Sequence, residues 1–229
     1  MALGDYLTIK SSLEDMDIGD AIPCRYQASS GAVGIFSELG TANMAEIPVG
    51  GSATPNGLFY FIKVDKGLLI ADRLVQHSIS WNTLNAGGYI EGKLITLSTL
   101  TVLIRSLTGG VAYANNEEQT EYSLTYQGWL GFPNNEWDKY IVNSDLGENI
   151  TPGDSNIWNG SVLCWCKETS VNNMTRSGDS LLANNTRRIC RAIGVPSYWT
   201  ETTLANQYVG FRPVLEYIEE NSPQKTVWY

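Results

Sequence analysis

Gly210-Phe211-Arg212-Pro213-Val214-Leu215 is the stretch that decides how this chain is read, because it closes an ordered series of tryptophan and arginine blocks. Working back from it, the series runs through Arg187-Arg188-Ile189-Cys190-Arg191 and Arg176-Ser177-Gly178-Asp179-Ser180. It continues through Cys164-Trp165-Cys166 with Trp158, and reaches Asn135-Glu136-Trp137-Asp138. A tryptophan at strand or helix spacing ordinarily fills interior volume, so Trp137, Trp158 and Trp165 are core candidates. Pro133-Asn134-Asn135 supplies a helix start, and Trp137, Tyr140 and Ile141 follow at i, i+3 and i+4, which predicts a helix with one face pressed on the core. Ser161 to Cys166 reads as a central strand.

The order of these blocks resembles the formylglycine-generating-enzyme, or sulfatase-modifying-factor, branch of the C-type-lectin-like fold. Arg105-Ser106-Leu107-Thr108 stands where that family has Arg-Leu-Pro-Thr, and Ile79-Ser80-Trp81-Asn82 followed by Tyr89 is similar to its Val-Ser-Trp helix. The resemblance spans roughly Ile79 to Leu215, and the Asn-Glu-Trp-Asp and Gly-Phe-Arg-Pro-Val-Leu forms look most like phage virion and tail-associated members. It implies an α+β fold with short twisted antiparallel sheets, two main helices and much irregular loop. It also implies that Phe211 lies in the core, that the Arg212 guanidinium pairs carboxylate or carbonyl groups, and that the Arg187, Arg188 and Arg191 cluster is buried.

In the oxidases of that family a cysteine pair just after the Arg-Gly-Gly-Ser block binds copper and carries the chemistry. Here Leu181-Leu182-Ala183-Asn184-Asn185-Thr186 occupies the stretch and holds no cysteine. A structural Cys190 and a chain that is not an enzyme are therefore expected. Other catalytic sets are no better supplied. A Ser or Cys triad needs an imidazole base, and the single histidine, His77, is read as structural. The adjacent acids Glu117 and Glu118 are read as solvated loop residues rather than a glycosidase pair. Cys164 and Cys166 on one strand face the same way, so reduced thiols are expected, and Cys-Trp-Cys lacks the second pair that a zinc site requires.

With 229 residues the chain has enough interior to fold without disulfides. Only 17% of residues are charged, against a usual quarter or so, and the formal charge is −9. That balance argues against a nucleic-acid partner, since phosphate contacts need clustered Lys and Arg. The uncharged segment Leu94 to Ile104 is far short of the ~20 predominantly apolar residues of a membrane helix and is rich in Thr and Ser, so no membrane insertion is expected. Met1-Ala2-Leu3-Gly4-Asp5 lacks the basic and apolar regions of a secretory signal. Synthesis in the host cytoplasm is expected from this, and the resemblance implies that the chain is then located in the virion. Asn143, Asp145, Asn149 and Asp154 are oxygen donors of the kind that suits calcium, but their spacing matches no EF-hand loop. No cofactor is otherwise expected.

Residues 1–50 read as short strands and loops, a lead-in or docking segment, with Pro48-Val49-Gly50-Gly51-Ser52 either the boundary to a domain over 51–229 or a turn within one domain. Gly57 to Val64 and Gly67 to Ala71 read as a hairpin through an Asp65-Lys66-Gly67 turn. Ser80 caps a helix carrying Trp81 and Leu84, which Gly87-Gly88 ends. Strands follow from Lys93 to Leu107, and 111–132 reads as an inserted surface loop. Between the core blocks, where this fold presents its ligand face, lie Asn184, Asn185, Tyr198, Trp199, Glu201, Asn206 and Tyr208. Tyrosine and tryptophan give contact area at low entropic cost, and asparagine gives adaptable hydrogen bonding. The expected function is a phage tail, fibre or baseplate protein whose lectin-like surface recognises a host glycan or protein. A homo-oligomer is expected, since weak contacts of repeated copies add by avidity. The alternative is an architectural subunit, a decoration or adaptor whose 111–132 loop contacts other virion proteins.

Overall fold

A computed structural model describes residues 6–113, 131–132, 134–143, 146, 157–158, 162–169, 187–193 and 195–218. The chain is mostly β-sheet with two short helical segments, an α+β arrangement in which the sheets dominate. The strands are β1 (Ala21–Gln27), β2 (Ile35–Ser37), β3 (Asn56–Asp65), β4 (Leu68–Ala71), β5 (Gln76–His77), β6 (Lys93–Leu97) and β7 (Leu100–Ser106). After these come β8 (Ala112–Tyr113), β9 (Gly131–Phe132), β10 (Leu163–Trp165), β11 (Arg187–Ala192), β12 (Val195–Glu201), β13 (Val209–Phe211) and β14 (Pro213–Glu216). A seven-stranded sheet runs β2-β1-β3-β4-β14-β7-β6, a five-stranded sheet runs β12-β11-β10-β13-β5, and β8 pairs with β9.

Gly210 to Leu215 joins the two sheets. β13 lies between β10 and β5 in the smaller sheet, and two residues later β14 lies between β4 and β7 in the larger. Arg212 is the residue of the crossing, fully buried with its guanidinium 5.6 Å from the Trp137 ring centroid. Phe211 packs edge-on to Tyr89 and Phe36 at 6.0 and 6.3 Å. A side chain at Gly210 would place its Cβ 2.2 Å from the Gln76 carbonyl oxygen, so only glycine allows β5 to lie against β13. Pro213 is tolerated in a central strand because it stands first in it.

The larger sheet is covered on both sides, which explains why β3 reads as an unbroken apolar run instead of an alternating one. Phe59, Phe61, Leu69 and Leu215 face a cluster that includes Tyr26, Phe36, Trp81, Tyr89 and Trp165. Tyr60, Ile62, Ile70 and Val214 face a second cluster with Trp137, Ile141, Trp158 and Cys164. β1 pairs with β3 along all of Ala21–Gln27, so residues of the expected lead-in segment sit in the same sheet as the downstream strands. The hairpin expected around Asp65-Lys66-Gly67 is β3–β4, with Gly67 at φ 66°. The first helix, α1 (Trp81–Ala86), starts at Ser80, whose Oγ accepts the Thr83 N–H at 3.1 Å, and ends at Gly87 and Gly88.

Two expectations need correction. The helix expected after Pro133 is a single wide turn, Trp137–Val142, in which the Asn143 N–H donates to the Asp138 carbonyl, five residues back. The wide turn buries Trp137, Tyr140 and Ile141 as expected. It also brings Asp138 inward, where its carboxylate meets Arg191 and accepts from the Asn135 amide at 2.7 Å. The smaller sheet is mixed where antiparallel pairing was expected, since β10 and β13 run parallel.

Two of the buried arginines sit in paired-charge clusters. Arg105 is held between Glu136 and Glu216, the latter at 2.5 Å. Arg73 pairs Asp72 at 2.7 Å and Glu46 at 2.9 Å. Of the three clustered arginines, Arg191 is buried, whereas Arg187 and Arg188 are half-buried at the sheet surface. All four cysteines are buried free thiols. Burial pushes the Cys190 and Cys166 thiols well above their usual range, which makes them poor nucleophiles.

Candidate functional site

The turn joining β12 to β13, residues 202–208, is short and fixed at several points. Its first residue, Thr202, is buried, and the Thr202 carbonyl accepts the N–H of Asn82 in α1 at 3.1 Å. Leu204 donates its N–H to the Glu201 carbonyl at 3.0 Å and packs against the core. The Asn206 carbonyl accepts the Ser78 N–H at 2.9 Å, and the Tyr208 carbonyl accepts the Leu163 N–H at 3.1 Å. Within the turn, Asn206 Oδ1 accepts the Tyr208 N–H at 2.9 Å, the local closure that asparagine side chains make two residues on.

These bonds hold the backbone while the side chains of Thr203, Ala205, Gln207 and Tyr208 stay exposed, Tyr208 by 66%. An aromatic ring left in water on a fixed backbone has little ordering entropy left to lose when a ligand covers it.

Beside the turn lies β5. His77 pairs with Gly210, and its N–H donates to the Ser52 carbonyl at 3.2 Å. His77 Nδ1 lies 2.9 Å from Ser78 Oγ. Ser78 takes φ 58°, a left-handed conformation that costs a non-glycine residue of order 1 kcal/mol or more, stabilised here by its bond to Asn206. Burial lowers the His77 pKa, so the imidazole is neutral at neutral pH. Val49, 51% exposed, is carried by the Gly50-Gly51 loop that packs beside Val162 and Leu74. The turn and the adjoining β5 thus offer an aromatic ring, hydroxyl, amide, imidazole and backbone groups.

Charge lies at its margin and is paired. Arg187 Nε donates to Glu201 at 2.6 Å across β11 and β12, and the Arg188 guanidinium stacks 4.2 Å from the Trp81 ring. A face of this kind suits a neutral, hydroxyl-rich ligand better than a phosphate or a carboxylate.

Of the residues expected to bind, the structure brings Asn206 and Tyr208 together on one turn and places Glu201 at its entrance in an ion pair. Tyr198 and Trp199 stand at register positions opposite Cys190 and Ile189 in the same sheet. Asn184 and Asn185 lie outside the described residues, as do Asp145, Asn149 and Asp154 of the oxygen-rich stretch, Glu117 and Glu118, and 114–130 of the expected inserted loop. Sequence reasoning missed Ser78, whose N–H meets the Asn206 carbonyl, and assigned His77 to structure alone.

Among the described residues, no group of three or more His, Cys, Asp or Glu is arranged to hold a metal ion, and no helix is long and apolar enough to cross a membrane. No protein-family model, curated protein or solved structure matches the chain.

Proposed function

We propose that this chain is a non-enzymatic phage virion protein, associated with the tail, fibre or baseplate. In this reading it uses a C-type-lectin-like scaffold of the sulfatase-modifying-factor type to present the 202–208 turn to a host glycan or protein. The observation that carries the reading is Tyr208, exposed on a backbone held by bonds to α1, Ser78 and Leu163. The buried Trp137, Trp158, Trp165, Phe211 and Arg212 support the scaffold assignment, since they belong to the blocks that carry the resemblance. Buried thiols with raised pKa values support a structural part for Cys190 over an oxidase.

Particles carrying Tyr208→Ala, with Asn206→Ala as a companion, should assemble in normal yield but adsorb at least about tenfold more slowly, the effect of losing one anchoring aromatic. Unchanged adsorption would remove the recognition reading. Absence of the chain from purified particles, read by mass spectrometry, would remove the virion reading altogether.

The architectural alternative draws on a separate observation. Leu94 and Leu100 are exposed apolar side chains on the β6–β7 hairpin, a surface that receptor recognition at Tyr208 does not use. Under that reading changes at Tyr126 and Trp129 would block assembly and Tyr208→Ala would be silent.

A further inference from the structure

Among the described residues, β6 is an edge strand of the seven-stranded sheet. Its pairing with β7 runs Leu97↔Leu100, Ile95↔Val102 and Lys93↔Ile104, closed by the two-residue Ser98-Thr99 turn with Ser98 at φ 55°. In a hairpin of that length the residues flanking the turn exchange both backbone bonds, and the bonded positions recur every second residue. Leu97, Ile95 and Lys93 therefore point their N–H and C=O groups at β7. Leu94 and Thr96 point theirs outward, and among the described residues the only strand paired with them is β7.

Proteins usually protect such an edge with proline, a bulge, a charge or a covering segment. The other described edges have these devices. β2 is three residues long and ends beside the Arg25–Glu38 ion pair at 2.7 Å. β5 is two residues long and covered by Ser52. β12 contains Pro196. β6 has a single charge, Lys93, whose ammonium is drawn 5.1 Å over the Tyr89 ring, and Leu94 beside it is 69% exposed.

We propose that β6 is a self-association edge, at which two copies of this chain join antiparallel about a two-fold axis through Ile95. Leu94 then exchanges both backbone bonds with Thr96 of the second copy, Thr96 does the same with Leu94, and the two sheets become one. The second copy is the occupant on grounds of charge and symmetry. A chain with net charge −9 repels its own kind over most of its surface, but residues 94–104 contain no charged side chain. A two-fold axis at Ile95 matches both outward pairs at once, the self-complementarity that a closed dimer requires. The inner faces already agree. Ile95, Leu97, Val102 and Ile104 continue the core cluster up to the edge, so the joined sheets extend one apolar layer. This proposal does not depend on what the 202–208 turn binds.

The test is sedimentation of the purified full chain over a concentration series, compared with Thr96→Pro. Proline there removes an outward N–H and leaves the β7 ladder intact, so circular dichroism should be unchanged. Wild type should shift toward dimer as concentration rises, and Thr96→Pro should weaken the dimer by tenfold or more. Register is tested by Ile95→Cys, because residues facing across a non-bonded antiparallel pair lie about 4.5 Å apart at Cα and can form a disulfide. Oxidation should crosslink Ile95→Cys into dimers and leave Leu94→Cys, offset from itself by two residues, largely uncrosslinked. A wild-type chain that stays monomeric throughout the series would overturn the proposal. So would a dimer that survives Thr96→Pro, or one that crosslinks equally through Leu94→Cys.

Discussion

Replacing Arg105 by methionine isolates the contribution of the charged joint that ties the Trp137 turn to the larger sheet. Arg105 and Glu136 are only 10% and 13% exposed, and Arg105 also donates to the Ser106 carbonyl at 3.0 Å and to Glu216 at 2.5 Å. Removing one partner of a buried ion pair costs roughly 3–5 kcal/mol, most of it the penalty of an uncompensated charge. The lower end applies here. Glu136 keeps the Thr108 N–H at 2.9 Å, and Glu216, 41% exposed, can return to water. About 3 kcal/mol in a chain of 229 residues corresponds to a fall of about 6–12 °C in Tm. The pair Arg105→Met with Glu136→Met should recover part of that loss, because apolar replacement of both partners is often neutral. Thermal or urea unfolding of wild type, the two single variants and the double variant reads the coupling directly. A single-variant shift below about 2 °C, or a double variant no more stable than the single, would refute the argument that the joint is held by paired charge.

Acid should weaken the same joint. Burial alone would raise the Glu136 carboxyl, but the bond and charge of Arg105 and the Thr108 N–H hold it below its ordinary value of 4.5. A depressed carboxylate contributes stability that is complete above its unfolded pKa and is lost as pH falls through the folded one. Wild-type Tm should therefore drop below about pH 5, and Glu136→Gln should show a shallower drop; parallel profiles would contradict this. Gly210→Ala should prevent folding, since its Cβ would lie 2.2 Å from the Gln76 carbonyl oxygen. Gly50→Ala, whose Cβ meets only Val162 Cγ2 at 3.6 Å, should be tolerated; soluble yield and circular dichroism of the two variants separate the cases.

How far the sequence could be read depended on how local the governing physics was. Ser80 and Gly87-Gly88 mark the ends of α1 through bonds made within a few residues, and Asp65-Lys66-Gly67 marks the hairpin in the same way. Trp137, Trp158 and Trp165 were legible as core from size and spacing, and Phe211 from the family resemblance. The wide turn at Trp137–Val142 was not, because Asp138 is drawn inward by Arg191, fifty-three residues away in sequence. Nor was the parallel pairing of β10 with β13, which depends on where the chain returns after β12. Tyr208 and Asn206 stood out as exposed-type residues between core blocks. Their neighbour Ser78 did not, since what joins it to the turn is its bond to Asn206 and the pairing of β5 with Gly210.

The sheet order has a consequence for synthesis. Without residues 209–216 the larger sheet is two pieces, β2-β1-β3-β4 and β7-β6, and the smaller sheet lacks the strand between β10 and β5. A nascent chain that has emerged only as far as β12 can form hairpins such as β1–β3 and β6–β7, but it leaves β4, β5, β7 and β10 each with a vacant side. Those vacant sides are sticky while they last. Such a protein should reach its native state late and all at once, and its yield should depend on how quickly the ribosome delivers β13 and β14.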